Sequence, residues 1–267
     1  MPLEYHNLSA FEVAAAASLI LINGLISLLL RLGLQRSLLI GAVRTVVQLL
    51  MIGYILGWIF SLNRVLVVIG LMLAMSLIAG VAAVRRTPRR FPGIWFNSIV
   101  AVMASSWFVT GAALTFIIRP EVWSNHLAQY AIPLMGMILG NTLNGISLGL
   151  DRLGSELTDR RSQVEMLLTL GATRWEAARG AVREAVRTGM IPIINSMMVV
   201  GLVSLPGMMT GQLLVGADPM AAVEYQIVIM FLIAAGTALG TMAVVVLSYL
   251  RLFNSRHQFL SERIRKT

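Results

Sequence analysis

"VLVVIGLMLAMSLIAGVAAVRRTPRR" occupies residues 65–90 and decides the fold class of this chain. Its first 20 residues contain no charged side chain, and about 20 mostly apolar residues are what a helix needs to cross the hydrocarbon core of a bilayer. Four arginines follow at once, in the cluster "RRTPRR" at 85–90. A long apolar run that ends in a basic cluster predicts a transmembrane helix with its basic end in the cytoplasm.

The same pattern recurs along the chain, which is 57% hydrophobic and only 12% charged. A soluble domain carries about twice that charged fraction. Seven apolar runs are predicted to span the membrane, at residues 10–30, 38–60, 65–84, 93–118, 131–150, 188–215 and 220–250. Open sheets cannot cross lipid because their backbone groups would lack partners. The sequence therefore predicts an all-α polytopic helical bundle that forms one transmembrane domain over residues 1–267.

The basic residues predict the topology of this bundle. The connections after the first, third and fifth spans, together with the C-terminal tail, hold 18 of the 21 Lys and Arg residues. The other connections hold only Arg64 and Arg119. Because basic residues accumulate on the cytoplasmic side, we expect the N-terminus outside, the C-terminus inside, and a multi-pass location in the cell inner (plasma) membrane. The charges lie at span ends, so lipid and not nucleic acid is the expected partner. The chain has no cysteine, which excludes disulfides and thiolate metal sites.

The one sizeable polar stretch is residues 151–187, and its apolar residues recur at helical spacing. We expect two short amphipathic helices that meet at "LGAT", residues 170–173. Gly171 would separate the helices, and Thr173 would cap the second one. The pattern by itself leaves two interpretations open. The segment is either an interfacial hairpin that lies flat on the membrane or a docking surface for a cytoplasmic partner.

A resemblance to known families bears on that choice. The segment "EMLLTLGATRWEAARGAVREAVRTGMIP" at 165–192 looks like the cytoplasmic coupling loop of ABC-transporter permeases, in which a Glu precedes a Gly by six residues, as Glu165 precedes Gly171. Further segments resemble the FetB (YbbM-like) family of ABC-type permeases, which includes plant relatives linked to aluminium tolerance. They are "VRTVVQLLMIGYILGWIF" (43–60), "IPLMGMILGN" (132–141), "VGLVSLPGMMTG" (200–211), "GADPMAAVEYQI" (216–227) and "FNSRHQ" (253–258).

This resemblance implies a permease subunit that pairs with a separate cytoplasmic ABC ATPase subunit, forms a homodimer and exports metal ions such as iron. The implied ATPase-coupling residues are Glu165, Leu170, Gly171, Ala172, Thr173 and Arg174. The chain has no G-x-x-x-x-G-K-[ST] loop to cradle phosphates. We therefore expect no enzymatic activity and no cofactor on this chain. The alternative is an ion-coupled secondary transporter that works without an ATPase. It would favour several intramembrane carboxylates, and only Glu12 and Glu224 qualify.

Polar groups inside the spans are costly in lipid and are therefore candidates for a translocation pathway. The candidates are Arg44, Gln48, Asn141, Asn144, Asn195 and Glu224. Other roles stay open: Arg44 can extend to the interface, and asparagines can hydrogen-bond between helices. Glu224, about one and a half turns into a helix that Asp218 would cap, could reach the outer interface, bind a cation or pair with an arginine. No metal site is assigned.

The sixth apolar run is 29 residues long and contains a proline–glycine pair, Pro206 and Gly207. Proline removes a backbone donor, and glycine permits backbone angles that other residues avoid. We expect either an ordinary kinked span or a hinge or re-entrant stretch at the outer mouth of a pathway. Five Gly-x-x-x-Gly pairs are predicted to bring helices close together, namely Gly53/Gly57, Gly136/Gly140, Gly145/Gly149, Gly207/Gly211 and Gly236/Gly240.

Overall fold

The computed structural model describes residues 9–62, 64–118, 120–123 and 126–266, so Arg119 lies outside the described residues. The helices, in chain order, are α1 Ala10–Leu29, α2 Gln35–Leu62, α3 Val65–Arg85, α4 Ile94–Ala112, α5 Pro120–Trp123, α6 Leu127–Asp159, α7 Arg161–Thr169, α8 Arg174–Val199, α9 Gly207–Leu214 and α10 Pro219–Leu252. A π-helical turn, Ala113–Ile117, extends α4. Two short strands, β1 (Arg89–Arg90) and β2 (Arg265–Lys266), pair antiparallel, and a 3₁₀ turn, Ser261–Arg263, precedes β2.

Within the described residues, six helices are long and apolar enough to cross a bilayer. They are α1, α2, α3, α4 with its π-helical turn, α6 and α10. This confirms the predicted all-α, multi-pass class. The α6 helix has 33 residues, so at 1.5 Å per residue it is about 50 Å long. The hydrocarbon core is about 30 Å thick. One end of α6 must therefore extend well beyond the membrane.

The core of the bundle consists of α3, α4, α6, α8 and α10, with α6 packed against the other four. Small residues allow the closest approach. A methyl group added at Gly189 in α8 would lie 2.6 Å from the carbonyl oxygen of Gly145 in α6. A methyl group at Gly240 in α10 would lie 2.5 Å from the Thr142 side chain. Two of the predicted glycine pairs, Gly145/Gly149 and Gly236/Gly240, therefore lie at tight helix contacts.

The sixth predicted span, residues 188–215, is not one helix, and this part of the prediction was wrong. The α8 helix ends at Val199, and Val200 is extended. Gly201 has a φ of 82°, and its N–H donates to the Ser204 carbonyl at 2.9 Å to close a turn. The eight residues of α9 follow; at about 12 Å this helix is too short to span. The run is thus the apolar end of α8 followed by a turn and a short helix.

The polar segment 151–187 also differs from the prediction of two separate short helices. Its first nine residues continue α6, and residues 174–187 form the first half of α8. Only α7 is a separate short helix. The reason is local: residues 150–159 contain no proline and no terminating glycine, so α6 continues out of the apolar run. Gly154, inside this stretch, instead accommodates the packed side chain of Arg89.

Candidate functional site

The first candidate site is the junction of α7 and α8, residues 165–176, called here the knuckle. The α7 helix ends at Thr169, and Gly171 adopts a φ of 91°, in the left-handed region that favours glycine. This turn projects the side chain of Leu170, which is 76% exposed, and leaves Trp175 49% exposed. An exposed leucine near a half-exposed tryptophan in the sequence suits a groove on another protein.

A capping box fixes the start of α8 at the knuckle, as predicted for Thr173. The Thr173 hydroxyl accepts from the Glu176 N–H at 3.3 Å, and the Thr173 N–H donates to the Glu176 carboxylate at 2.7 Å. Hydrogen bonds from the Thr173 backbone and side chain hold the pKa of Glu176 below its usual value, with smaller contributions from Arg179 and His257. The carboxylate is stabilised because it accepts these donors at a positive helix end.

Ion pairs lie within the polar end of α6 and within α7, beside the knuckle. The Glu156 carboxylate is buried and lies 2.8 Å from the Arg152 guanidinium and 3.1 Å from that of Arg160. Glu165, a predicted coupling residue, pairs instead with Arg161 within α7 at 2.7 Å, and both side chains are about half exposed. The buried carboxylate holds the polar end of α6 together, while the Glu165 pair lies at the surface.

The second candidate site is a cavity of about 470 Å³ between the end of the π-helical turn, the start of α6, α9 and the first turns of α10. It is called here the Glu224 cavity, since Glu224 is the one acidic residue among its lining side chains. Asp218 caps α10 as predicted, through a 2.9 Å bond from the Ala221 N–H. Gln129, Tyr130, Tyr225 and Met208 add polar and thioether groups to mainly apolar walls. This size and lining are typical of a small-ligand site.

The other predicted pathway residues do not line this cavity. Arg44 and Gln48 are exposed on α2, whose Ile59 packs against the core near the opposite end of that helix. Asn195 is exposed on α8. The structure thus places these three on outward faces, away from the Glu224 cavity.

Asn141 and Asn144 share one outward face of α6. Asn141 donates to the Met137 carbonyl at 3.0 Å within its own helix. Asn144 accepts from the Arg86 guanidinium at 2.6 Å, so a residue of the basic cluster after α3 satisfies it. One asparagine is therefore satisfied within α6, and the other links α6 to the end of α3.

The predicted hinge residues, Pro206 and Gly207, lie at the start of α9, with Pro206 as the N-cap. The chain leaves α8 six residues earlier, at Val200. A proline is well tolerated at a helix start because the backbone donor that it lacks would have no partner there. Pro206 therefore begins a short helix and does not kink a long one.

Two groups of residues were given no role from the sequence. One is the C-terminal turn, residues 254–258, where the His257 imidazole accepts a 2.9 Å hydrogen bond from the Arg174 N–H at the knuckle. The other comprises Gln129, Tyr130 and Tyr225 in the Glu224 cavity. Asn254 is a typical turn former, so the turn carried a local signal. The cavity residues come from segments about 95 positions apart, and no spacing rule connects them.

The fold and these two sites define a multi-pass helical membrane protein with a projecting surface knuckle and a half-open cavity at one end. The chain belongs to the family described as Uncharacterised protein family (UPF0014), whose family model matches residues 10–253. The resemblance that its motifs predict is confirmed by the relatives below. No solved structure matches the chain.

Three relatives illustrate the family. UPF0014 membrane protein slr1647 of Synechocystis is 43% identical over 229 residues, covering 86% of this chain and 88% of that protein. UPF0014 membrane protein YjkA of Bacillus subtilis is 36% identical over 90% of this chain and 96% of its own length. Probable iron export permease protein FetB of Escherichia coli is 31% identical over 262 residues, or 98% of both chains.

Proposed function

We propose that this protein is the membrane-spanning permease subunit of an ABC transporter, driven by a separate cytoplasmic ATPase. The observation that carries the proposal is the continuity of α8. This helix begins at the exposed knuckle and continues for 26 residues to Val199, a length of about 39 Å. On the way it packs against α6 in the bundle core at Gly189. A force applied to Leu170 by a partner would therefore be transmitted along one uninterrupted helix into the membrane part.

The charge distribution supports the sidedness that this proposal needs. The knuckle lies in the connection with seven arginines, and Arg85 and Arg86 end α3 on the same predicted face. Basic residues accumulate on the cytoplasmic side of the inner membrane. A cytoplasmic ATPase would meet the knuckle there.

The cargo that we propose is a metal ion such as iron, exported through the bundle. The relative FetB is named a probable iron export permease. The Glu224 cavity places one carboxylate at the end of α10 opposite the knuckle. Asn195 is exposed on the apolar end of α8, where polar groups need protein or water as neighbours. A second copy of the chain would supply those neighbours, so we propose a homodimer with two ATPase subunits.

The test is co-purification of the permease with candidate ABC ATPases expressed from the same genome. We expect one ATPase to bind the wild type and the Leu202→Asp variant but not Leu170→Asp. Leu202 is a matched control because it is 88% exposed and lies beyond the opposite end of α8. ATP-dependent export of Fe²⁺ from vesicles that contain the pair would establish the cargo. Export by the permease alone would refute the ATPase-driven mechanism.

A further inference from the structure

We propose that the C-terminal turn, residues 254–258, is the second half of the ATPase-docking surface and positions the knuckle for docking. The inference rests on the proposed function, because its partner is the proposed ATPase. The basis is direct contact: the turn lies against the first residues of α8. The partner would then contact two chain segments about 80 residues apart, not the knuckle alone.

The turn is built by a single asparagine. The Asn254 side-chain oxygen accepts from the backbone N–H groups of Arg256, at 3.0 Å, and Gln258, at 2.9 Å. Its side-chain nitrogen donates to the Gln258 side chain at 2.7 Å. The main chain closes the turn with a 3.1 Å bond from the Asn254 N–H to the Gln258 carbonyl. A side chain that satisfies several turn donors gives the segment one defined shape.

His257 connects this turn to the knuckle at the cost of an unusual backbone conformation. It has a φ of 56°, a region that few non-glycine residues adopt. In that conformation its Nδ1 atom accepts from the Arg174 N–H at 2.9 Å, one of the free donors at the start of α8. The Arg174 guanidinium reaches the Asn254 carbonyl at 3.5 Å. A strained residue whose ring makes a specific contact indicates that the contact has a role.

The rest of the tail anchors the turn to the bundle. Phe253 is buried, and its ring lies 5.0 Å from that of Phe259 and 5.5 Å from that of Tyr249. The Tyr249 ring in turn meets Trp175 edge-on at 5.5 Å. Arg265 and Lys266, which form β2, pair with β1 in the connection after α3. The turn is therefore held in place from both sides, and the partner would dock on a fixed surface.

The exposed side chains of this surface indicate the chemistry of the partner. Leu170 and Trp175 supply apolar area, while Arg256, exposed on the turn, adds a positive charge at its edge. The matching ATPase face would have an apolar groove with an acidic residue at its rim. Rim charges act mainly on the association rate and on its salt dependence.

Two pairs of variants test the proposal, with the purified ATPase whose binding requires Leu170 as the probe. His257→Asn keeps an acceptor and tolerates positive φ, whereas His257→Gly keeps only the backbone freedom. One hydrogen bond contributes about 1 kcal/mol, so we expect about fivefold weaker ATPase binding for His257→Gly. The ATPase affinity of His257→Asn should stay within about twofold of the wild type, because this variant keeps a hydrogen-bond acceptor.

The second pair reverses one charge at two places. Arg256→Glu should slow ATPase association about tenfold, a size that one reversed rim charge can reach, and should weaken its salt dependence. The control is Arg183→Glu. Arg183 is exposed on α8, about 13 Å along the helix from Arg174, and its reversal should change the rate of ATPase association little. Unchanged thermal melting of each variant would show that the fold is kept.

The possible outcomes separate this inference from the proposed function. If Leu170→Asp abolishes ATPase binding while His257→Gly and Arg256→Glu bind as the wild type does, the docking role of the turn is refuted and the permease proposal stands. Equal losses in His257→Gly and His257→Asn would also refute the positioning role of the hydrogen bond. If no ABC ATPase binds the wild-type chain, both proposals fail.

Discussion

The contact between α6 and α8 leads to a quantitative prediction for Gly189→Ala. The added methyl group would lie 2.6 Å from the Gly145 carbonyl oxygen and 2.6 Å from the Thr241 methyl carbon. The first of these neighbours is backbone, so relief requires the two helices to move apart. A rotamer change of a flexible side chain would not be enough.

The expected size follows from two opposing effects. Overpacking of a well-packed core costs about 1–3 kcal/mol, while replacing glycine by alanine inside a helix gains about 1 kcal/mol. The net effect of Gly189→Ala is a loss of about 0–2 kcal/mol. Gly180→Ala is the matched control, because Gly180 lies in the same helix and nothing lies within 4 Å of an added methyl group. This control should gain about 1 kcal/mol, the same helix term without the overpacking.

The assay is thermal unfolding of the purified protein in detergent, followed by tryptophan fluorescence. The two variants should differ by about 1–3 kcal/mol, and each kcal/mol corresponds to about 2–4 °C for a chain of this size. Gly189→Ala should therefore melt about 2–12 °C below Gly180→Ala. Equal melting temperatures, or a Gly189→Ala variant more stable than the wild type, would show that α6 and α8 do not meet at these glycines.

Three further predictions concern carboxylates. Glu156→Gln leaves two arginines without their buried partner and should lower the free energy of unfolding by about 1–2 kcal/mol. This is less than the loss for a fully buried pair because both guanidinium groups are partly exposed. The control is Glu165→Gln, which breaks a surface pair and should change that free energy by no more than about 0.5 kcal/mol in the same melting assay. The lowered pKa of Glu176 stabilises the folded state above the unfolded pKa and loses that effect as pH falls through the folded value. The melting difference between the wild type and Glu176→Gln should therefore shrink as pH falls below the ordinary Glu pKa of about 4.3 and disappear below the folded pKa. Glu224→Gln should reduce Fe²⁺ export without lowering the melting temperature. Glu121→Gln, outside the cavity lining, should leave export unchanged. Equal export by both variants would exclude the cavity from the pathway.

The features that could be predicted from the sequence are those with local causes. Long uncharged runs become helices because lipid offers no partners to an unpaired backbone, and five of the seven predicted spans coincide with a helix to within a few residues. The caps at Thr173 and Asp218 depend only on a side chain and the next three residues. The turn at Gly171 needs only one residue that accepts a positive φ.

Some features could not be predicted because they depend on residues far apart in the sequence. Others could not because the same local sequence is compatible with more than one backbone conformation. Hydropathy counts apolar residues, and it cannot distinguish one 29-residue span from a helix, a turn and a short helix. The turn at Gly201 uses a glycine no different in sequence from the glycines that lie within helices. The contact of His257 with Arg174 joins positions 83 residues apart, and the cavity around Glu224 brings together residues from four separate helical segments.

The geometry of α8 shows where a movement of the knuckle would go. The helix touches α6 and α10 most closely at Gly189, which is 15 residues after Arg174 and 10 residues before Val199. At 1.5 Å per residue these arms are about 22 Å and 15 Å long. If the helix tilts about this contact, a displacement of the knuckle reappears at Val199 in the opposite direction, scaled by about two thirds. Pro192 lies three residues beyond the contact and removes a backbone hydrogen bond. Any bending of α8 is therefore concentrated beside Gly189, and Pro206, which lies beyond the end of this helix, cannot be its pivot.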